Sequence, residues 1–285
     1  MELSNVKKIG VVGAGTMGLG IAQISAMAGY QTYIFDVSAD MLKKATTIIE
    51  QNLDKGIEKG KVSENQKRET LDRITVISNL EDMVADIIIE AIVERLDVKQ
   101  KVFHQLEKVN SDDAILASNT SSIPITQIAA GLKYPNRFVG MHFFNPAHLM
   151  KLVEVISGVA TDNNIATTIK EFAIKLGKVP VMANDSPGFI VNRVARHFYL
   201  EGLKLMEEGV ANFEQIDRLI QSSGFKMGPF QLMDLIGVDT NYAVTSSMFN
   251  SFHQEAKFRP NRIQQQKVEA GHLGRKSGKG FYSYE

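Results

Sequence analysis

No cysteine occurs in this chain of 285 residues, so a disulfide framework, thiolate catalysis and cysteine-based metal sites are all excluded. A reducing compartment is compatible with that absence. Net charge is equally lacking, since 32 Lys and Arg balance 32 Asp and Glu and the isoelectric point is near 7.0. There is therefore no overall electrostatic footprint for nucleic acid or an anionic membrane, and small ligands held locally fit better. No internal repeat, low-complexity segment or His-Glu-x-x-His cluster occurs, and no metal is expected. The stretch from Met1 to Lys8 has neither the apolar core of a signal peptide nor an Arg-rich transit pattern, which makes the cytoplasm the expected location.

What the chain does have is a hydrophobic content of 44%, enough over this length to bury a core in each of two domains. Near its start, the apolar run Ile9 to Val12 passes through Gly13, Gly15 and Gly18 into residues Met17, Ile21, Ile24 and Ala28 at helical spacing. A strand that turns through three spaced glycines into a helix is a dinucleotide-binding turn: the first glycine permits the turn, the second admits a pyrophosphate, and the third lets helix and strand pack closely. Free N–H groups at the helix start then bind the anion. A second apolar run ends at Asp36, where an acidic residue accepts hydrogen bonds from ribose hydroxyls and selects NAD over NADP. Ile9 to Phe35 carries no charge and is long enough to cross a membrane. Its six glycines and the switch from strand to helix period exclude that reading.

Helical patterns at 39–61, 64–72 and 97–109 alternate with strand candidates at 74–77, 87–89 and 115–117. This is the order of a parallel sheet covered by helices, with ligands beyond the carboxyl ends of its strands. Glu94, Lys99 and the run Ser118 to Ser122 follow two such ends. The Ser/Thr run also reads as an N-cap for a helix starting near Pro124, with Ser122 or a neighbour as the cap. Two strand-like runs, Phe138 to Pro146 and Lys151 to Ile156, carry His142 and Glu154. If the runs pair, the carboxylate orients the imidazole and stabilises its protonated form; the plainer alternative is a core histidine satisfied by its neighbours. A helix at 163–176 and a strand at 178–182 complete an α/β domain over residues 1–184. Beyond it only helical patterns follow, which predicts a smaller all-helical domain over 185–285. The terminal Gly274 to Gly280 run has the wrong spacing for a Walker-type loop.

Together these motifs resemble the short-chain L-3-hydroxyacyl-CoA dehydrogenases, above all the bacterial 3-hydroxybutyryl-CoA branch. The resemblance runs from Lys7 to Tyr284 and rests on Gly-Ala-Gly-Thr-Met-Gly (13–18), Ala-Ser-Asn-Thr-Ser-Ser (117–122) and Met-His-Phe-Phe-Asn-Pro (141–146). It continues through Met-Lys-Leu-Val-Glu-Val (150–155), Ser-Pro-Gly-Phe-Ile-Val-Asn-Arg (186–193), Met-Gly-Pro-Phe (227–230) and Leu-Gly-Arg-Lys-Ser-Gly-Lys-Gly-Phe-Tyr (273–282).

The resemblance implies a Rossmann-type domain and an NAD-dependent oxidoreductase that interconverts a short (S)-3-hydroxyacyl-CoA and its 3-oxoacyl-CoA. His142 is then the general base, Glu154 its orienting partner, and Ser121 and Asn192 polar contacts to the reacting oxygen or thioester. Gly13, Gly15, Thr16, Met17, Gly18, Asp36, Glu94, Lys99, Ser121, Asn145 and Lys276 are the implied NAD contacts. Lys55 and Lys59, which otherwise read as a solvated helix end, take the coenzyme A phosphates, with Asn52 and Ser121 beside them. Asn52 stands where animal relatives have a serine, and His148-Leu149 replaces the usual Pro-Val. The helical domain is expected to serve substrate closure and homodimerisation. Oxidation of a free hydroxy or sugar acid, or non-catalytic nucleotide binding on the same fold, is the alternative function.

Overall fold

In a computed structural model, residues 1–284 are described, and the chain divides into two compact units between Ser186 and Pro187. The first unit holds one sheet of eight strands: β1 (Lys8–Val12), β2 (Gln31–Phe35), β3 (Ile74–Val76), β4 (Ile87–Glu90), β5 (Ile115–Ser118), β6 (Phe138–Phe143), β7 (Leu152–Ser157) and β8 (Val179–Asn184). Their spatial order is 3-2-1-4-5-6-7-8. All neighbours run parallel except β6 and β7. The order reverses beside β1, which is where a doubly wound sheet opens a crevice for a dinucleotide.

Six helices cover this sheet: α1 (Thr16–Met27), α2 (Ala39–Glu58), α3 (Glu64–Asp72), α4 (Leu96–Val109), α5 (Ile125–Ala129) and α6 (Asn163–Lys175). The central strands are buried on both faces, so they read as continuous aliphatic runs such as Ile87, Ile88 and Ile89, each fully buried. On α2 the buried residues Ala45, Ile49 and Leu53 recur every four positions and form the stripe that faces the core. That helix ends at Glu58, three residues earlier than its lysine pattern predicts. Gly60 adopts φ 65 and its N–H, with that of Lys61, returns to the Ile57 and Gly56 carbonyls, a left-handed glycine stop that a helix pattern alone does not disclose. Pro180 lies on the edge strand β8, where a missing N–H breaks no ladder on the open side.

The second unit contains α7 (Val191–Glu207), α8 (Phe213–Ser222), α9 (Pro229–Ile236), α10 (Val238–Ser251) and α11 (Arg262–Glu269). Its core gathers Tyr199, Leu203, Ile216, Phe230, Met233, Val238 and Phe281. Two buried carboxylates organise it. Asp217 accepts the first-turn N–H groups of Phe230 and Gln231 at 2.9 and 2.8 Å and the Tyr282 hydroxyl at 2.9 Å, so it caps α9 from outside. Asp234 accepts the N–H groups of Phe281 and Tyr282 and the Tyr284 hydroxyl, each at 2.9 Å, and so holds the C-terminal segment to α9. Gly228 and Gly280 occur here because a Cβ at either would overlap one of these carboxylates.

Asp217→Ala leaves three donors without their acceptor, and the expected loss is on the order of 3 kcal/mol. Urea unfolding reads it; a loss below about 1 kcal/mol would mean that water replaces the carboxylate.

Candidate active site

Four loops meet at the carboxyl ends of β1, β2, β4 and β5. At the end of β1, Gly13 has φ 111 and donates its N–H to the Phe35 carbonyl at 2.7 Å. A Cβ there would overlap the Ala91 carbonyl, and one at Gly18 would overlap the Gly13 carbonyl, so both positions require glycine. Gly15 opens α1 with no side-chain cap, no acidic residue follows in the first turn, and space for a Cβ on Gly15 is empty. Uncapped N–H groups behind an open glycine fit a pyrophosphate. Thr16 is exposed and Met17 half-buried at the same turn. Asp36, just past β2, accepts from Ala14 N–H at 2.7 Å and Ser38 N–H at 2.8 Å through different oxygens. The acid is thereby fixed to the turn it serves, and each oxygen retains a lone pair for a ribose hydroxyl.

At the ends of β4 and β5 the structure assembles a network that includes residues sequence reasoning passed over. Glu90, fully buried, accepts from the Lys99 ammonium at 2.5 Å, the Ser118 hydroxyl at 2.6 Å and the Ile92 N–H at 2.7 Å. Lys99, also buried, reaches Glu94 at 3.2 Å. Glu94 gathers the next loop, accepting the Thr120 hydroxyl at 2.6 Å, the N–H groups of Ser121 and Ser122 at 3.0 and 3.1 Å and the Ser122 hydroxyl at 3.0 Å. Burial by itself would raise the Glu94 pKa, but Lys99 and these donors outweigh it and hold the carboxyl below its ordinary value. The expected cap by Ser122 or a neighbour is not formed: Pro124 occupies the N-cap of α5 with no side-chain bond, Ser122 spends its hydroxyl on Glu94, and the Thr126 N–H in the first turn is taken by Asp185 at 2.8 Å. A sequence signal for Glu90 did exist, because an acid ending an all-isoleucine strand must find a counter-charge.

His142 and Glu154 face each other in the antiparallel register of β6 and β7, with Nδ1 and Oε2 2.7 Å apart. Both side chains are buried, at 8% and 1% exposure. A carboxylate only accepts, so in the neutral ring the shared proton sits on Nδ1 and the basic lone pair falls on Nε2. The Phe144 ring packs at 4.6 Å from the imidazole. Asn119 ties the Ser/Thr loop to this strand by accepting the Phe143 N–H at 2.8 Å. After β6 the chain passes an exposed Asn145 and a cis peptide to Pro146. The following turn is clamped by Lys178, buried to 8% exposure, whose ammonium donates to the Ala147 and Met150 carbonyls at 2.5 and 2.8 Å.

Lys55 and Lys59 are exposed at the end of α2, and Asn52 is half-buried one turn earlier. The neighbouring acids Glu50 and Asp54 are taken by Lys67 at 3.0 and 2.6 Å, which leaves the other two lysines outside these pairs. His148 has its pKa pushed down by burial, then by the charges of Lys178 and Lys55, so Lys55 lies within electrostatic reach of the turn after β6. Asn192 and Lys276 belong to the second unit. Asn192 is the second residue of α7, and Lys276 pairs with Asp239 at 2.7 Å.

Residues 8–186 match the family model for the 3-hydroxyacyl-CoA dehydrogenase NAD binding domain, and residues 188–284 match that for the 3-hydroxyacyl-CoA dehydrogenase C-terminal domain. A 3-hydroxyadipyl-CoA dehydrogenase of Escherichia coli is 46% identical over 98% of this chain, which spans only 59% of that relative's length. A 3-hydroxybutyryl-CoA dehydrogenase of Bradyrhizobium diazoefficiens is 43% identical over 98% of this chain and 96% of its own. Among solved structures, the (S)-3-hydroxybutyryl-CoA dehydrogenase of Ralstonia eutropha superposes with a TM-score of 0.95 at 38% identity, covering 99% of this chain and 100% of that one.

The Glu94 carboxyl has a lower pKa folded than unfolded, so the unfolded chain takes up this proton first as pH falls. Its stabilising contribution is present above about 4.5, the ordinary value, and is lost as pH drops through the folded value. The stability gap between the natural chain and Glu94→Gln should accordingly stay constant from neutral pH down to that point and shrink below it. A gap indifferent to acid would assign the effect to shape instead of charge.

Proposed function

The chain belongs to the 3-hydroxyacyl-CoA dehydrogenase family, and on that premise we propose that it interconverts a short (S)-3-hydroxyacyl-CoA, with 3-hydroxybutyryl-CoA as the leading substrate, and its 3-oxoacyl-CoA. The observation that carries this reading is the buried His142–Glu154 pair at 2.7 Å, set near the carboxyl end of β6 in a sheet that also carries the dinucleotide turn. Bound NAD supplies the hydride acceptor in oxidation and, reduced, the hydride donor in the reverse direction. His142 removes the proton of the 3-hydroxyl through Nε2 while the C3–H bond is lost as hydride, leaving a C3 carbonyl. Glu154 keeps the imidazole in the tautomer that can accept this proton and stabilises the resulting imidazolium. In reduction the imidazolium returns the proton to the carbonyl oxygen.

Ser121 is held by Glu94 through its backbone N–H and serves as a contact to the reacting oxygen. Asn192 and Lys276 keep the roles that the resemblance implies. Lys55 and Lys59 supply the charge that favours a coenzyme A thioester over a free hydroxy acid. The assembly we favour is a homodimer through the second unit, where Val194, Leu219 and Phe225 expose apolar surface of 68%, 71% and 55%. No helix among the described residues is long and apolar enough to cross a membrane, and the cytoplasm is the location proposed.

The test compares acetoacetyl-CoA, longer 3-oxoacyl-CoAs, 3-oxoadipyl-CoA and free acetoacetate, each with NADH. Highest kcat/KM for acetoacetyl-CoA is expected; turnover of free acetoacetate at an equal rate would remove coenzyme A from the reading. Replacing Lys55 and Lys59 together by Ala should raise the thioester KM while NADH binding, followed by fluorescence, stays the same.

His142→Gln should lower kcat by a factor of about 10²–10⁴. Oxidation needs the neutral ring and reduction the protonated one, so the two directions should respond to pH in opposite senses. Parallel profiles in the two directions, or a His142→Gln variant with most of its activity, would overturn the assignment.

A further inference from the structure

The Glu90–Lys99–Glu94 triad does more than the reaction above requires of it. Two carboxylates share one ammonium, so the triad carries one net negative charge. Its innermost member, Glu90, is fully buried and accepts three donors, the pattern of an ionised carboxylate. The triad also adjoins the dinucleotide turn. Glu90 pairs with Val12 in the β1–β4 register, the next residue donates its N–H to the Val12 carbonyl at 2.8 Å, and the Ala91 carbonyl abuts Gly13.

Topology says which half of the cofactor this charge addresses. A doubly wound sheet lays one mononucleotide on each side of the strand where its order reverses. Here β2 and Asp36 lie on one side of β1, and β4, β5 and the triad lie on the other. Asp36 holds the adenosine ribose on the β2 side in the reading above, which leaves the nicotinamide half for the side of the triad. That half changes charge during the reaction: the ring is a cation when oxidised and neutral when reduced.

We propose that Glu90 sets the charge of this triad at minus one and thereby favours binding of the oxidised cofactor over the reduced one. Glu90 acts through Lys99, so it is a tuning residue and touches neither substrate nor reacting atoms. If Glu90 were neutral, Lys99 and Glu94 would cancel and the preference would disappear. The inference rests on the NAD-dependent reading, and deepens it by assigning redox-form selectivity to a residue outside the binding turn.

Direct binding tests it. The chain contains no tryptophan, so NADH fluorescence reports its Kd without interference from that residue, and displacement of NADH reports the Kd of NAD. Glu90→Gln preserves shape and removes the charge; the ratio of Kd for NAD to Kd for NADH should rise about tenfold, the scale of one charge acting across a partly buried site. In the double variant Glu90→Gln with Lys99→Met, Glu94 alone restores the net charge of minus one, and the ratio should return to within about threefold of the natural value. Ser118→Ala removes a donor to Glu90 without altering charge and should leave the ratio where it was. Should Glu90→Gln not fold, Glu94→Gln removes the same charge from the partly exposed end of the triad and must raise the ratio likewise. Equal weakening of both cofactor forms, or a ratio that the double variant fails to restore, overturns the proposal while NAD dependence stands. A natural chain that binds neither form overturns both.

Discussion

The buried Lys99 ammonium is the constraint on which the carboxyl edge of this sheet depends. Once a cation sits at 1% exposure, its neighbours must supply charge and hydrogen bonds, because removing one partner of a buried pair typically costs about 3–5 kcal/mol. Glu90 and Glu94 both meet that demand, and each draws in a further piece of chain. Glu90 takes the hydroxyl that ends β5, and Glu94 takes the hydroxyls and N–H groups of the loop beyond it. One ion thus ties β4, α4, β5 and the Ser/Thr loop into a single rigid edge. The serines there act less as independent ligands than as parts of a frame built around charge.

The buried His142–Glu154 pair depends on a different constraint, which is strand register. His142 and Glu154 lie on consecutive strands and are directly opposed because β6 and β7 run antiparallel, the single reversal in an otherwise parallel sheet. Side chains alternate faces along a strand, so a slip of one residue would send the two groups to opposite faces. The turn between these strands is held from within by Lys178 and is packed against α1, where a Cβ on Gly20 would meet Ala147 and His148 at 3.1 and 3.2 Å. The dinucleotide helix and the β6–β7 hairpin therefore support each other through a close contact that glycine makes without displacing its neighbours.

Much of this architecture is legible in the residues themselves. Glycine spacing, apolar runs that end in acids, and helical stripes such as Ala45, Ile49 and Leu53 are local signals, and local backbone preferences suffice to read them. They disclose the dinucleotide turn, the Rossmann-type sheet and the helical character of the second unit. The motifs in order, from Gly13 to Tyr282, likewise carry the family and with it the class of reaction. Where local reading failed, a competing interaction was responsible. The lysine pattern of α2 ran past Glu58 because a glycine stop is decided by backbone conformation, and Ser122 resembled a cap because a hydroxyl before a helix does so whether or not a carboxylate elsewhere claims it.

The sequence by itself thus determined which elements form and which chemical groups are available: an imidazole, a set of carboxylates and a turn open to phosphate. Only the tertiary structure decided which of those groups meet. The division of Lys99 between Glu90 and Glu94, the tie from Asn119 to β6 and the commitment of Asp36 to the turn it serves all join residues from different elements. Burial is the physical reason, since charge removed from water must be matched by whatever partner the packing of distant strands brings within reach.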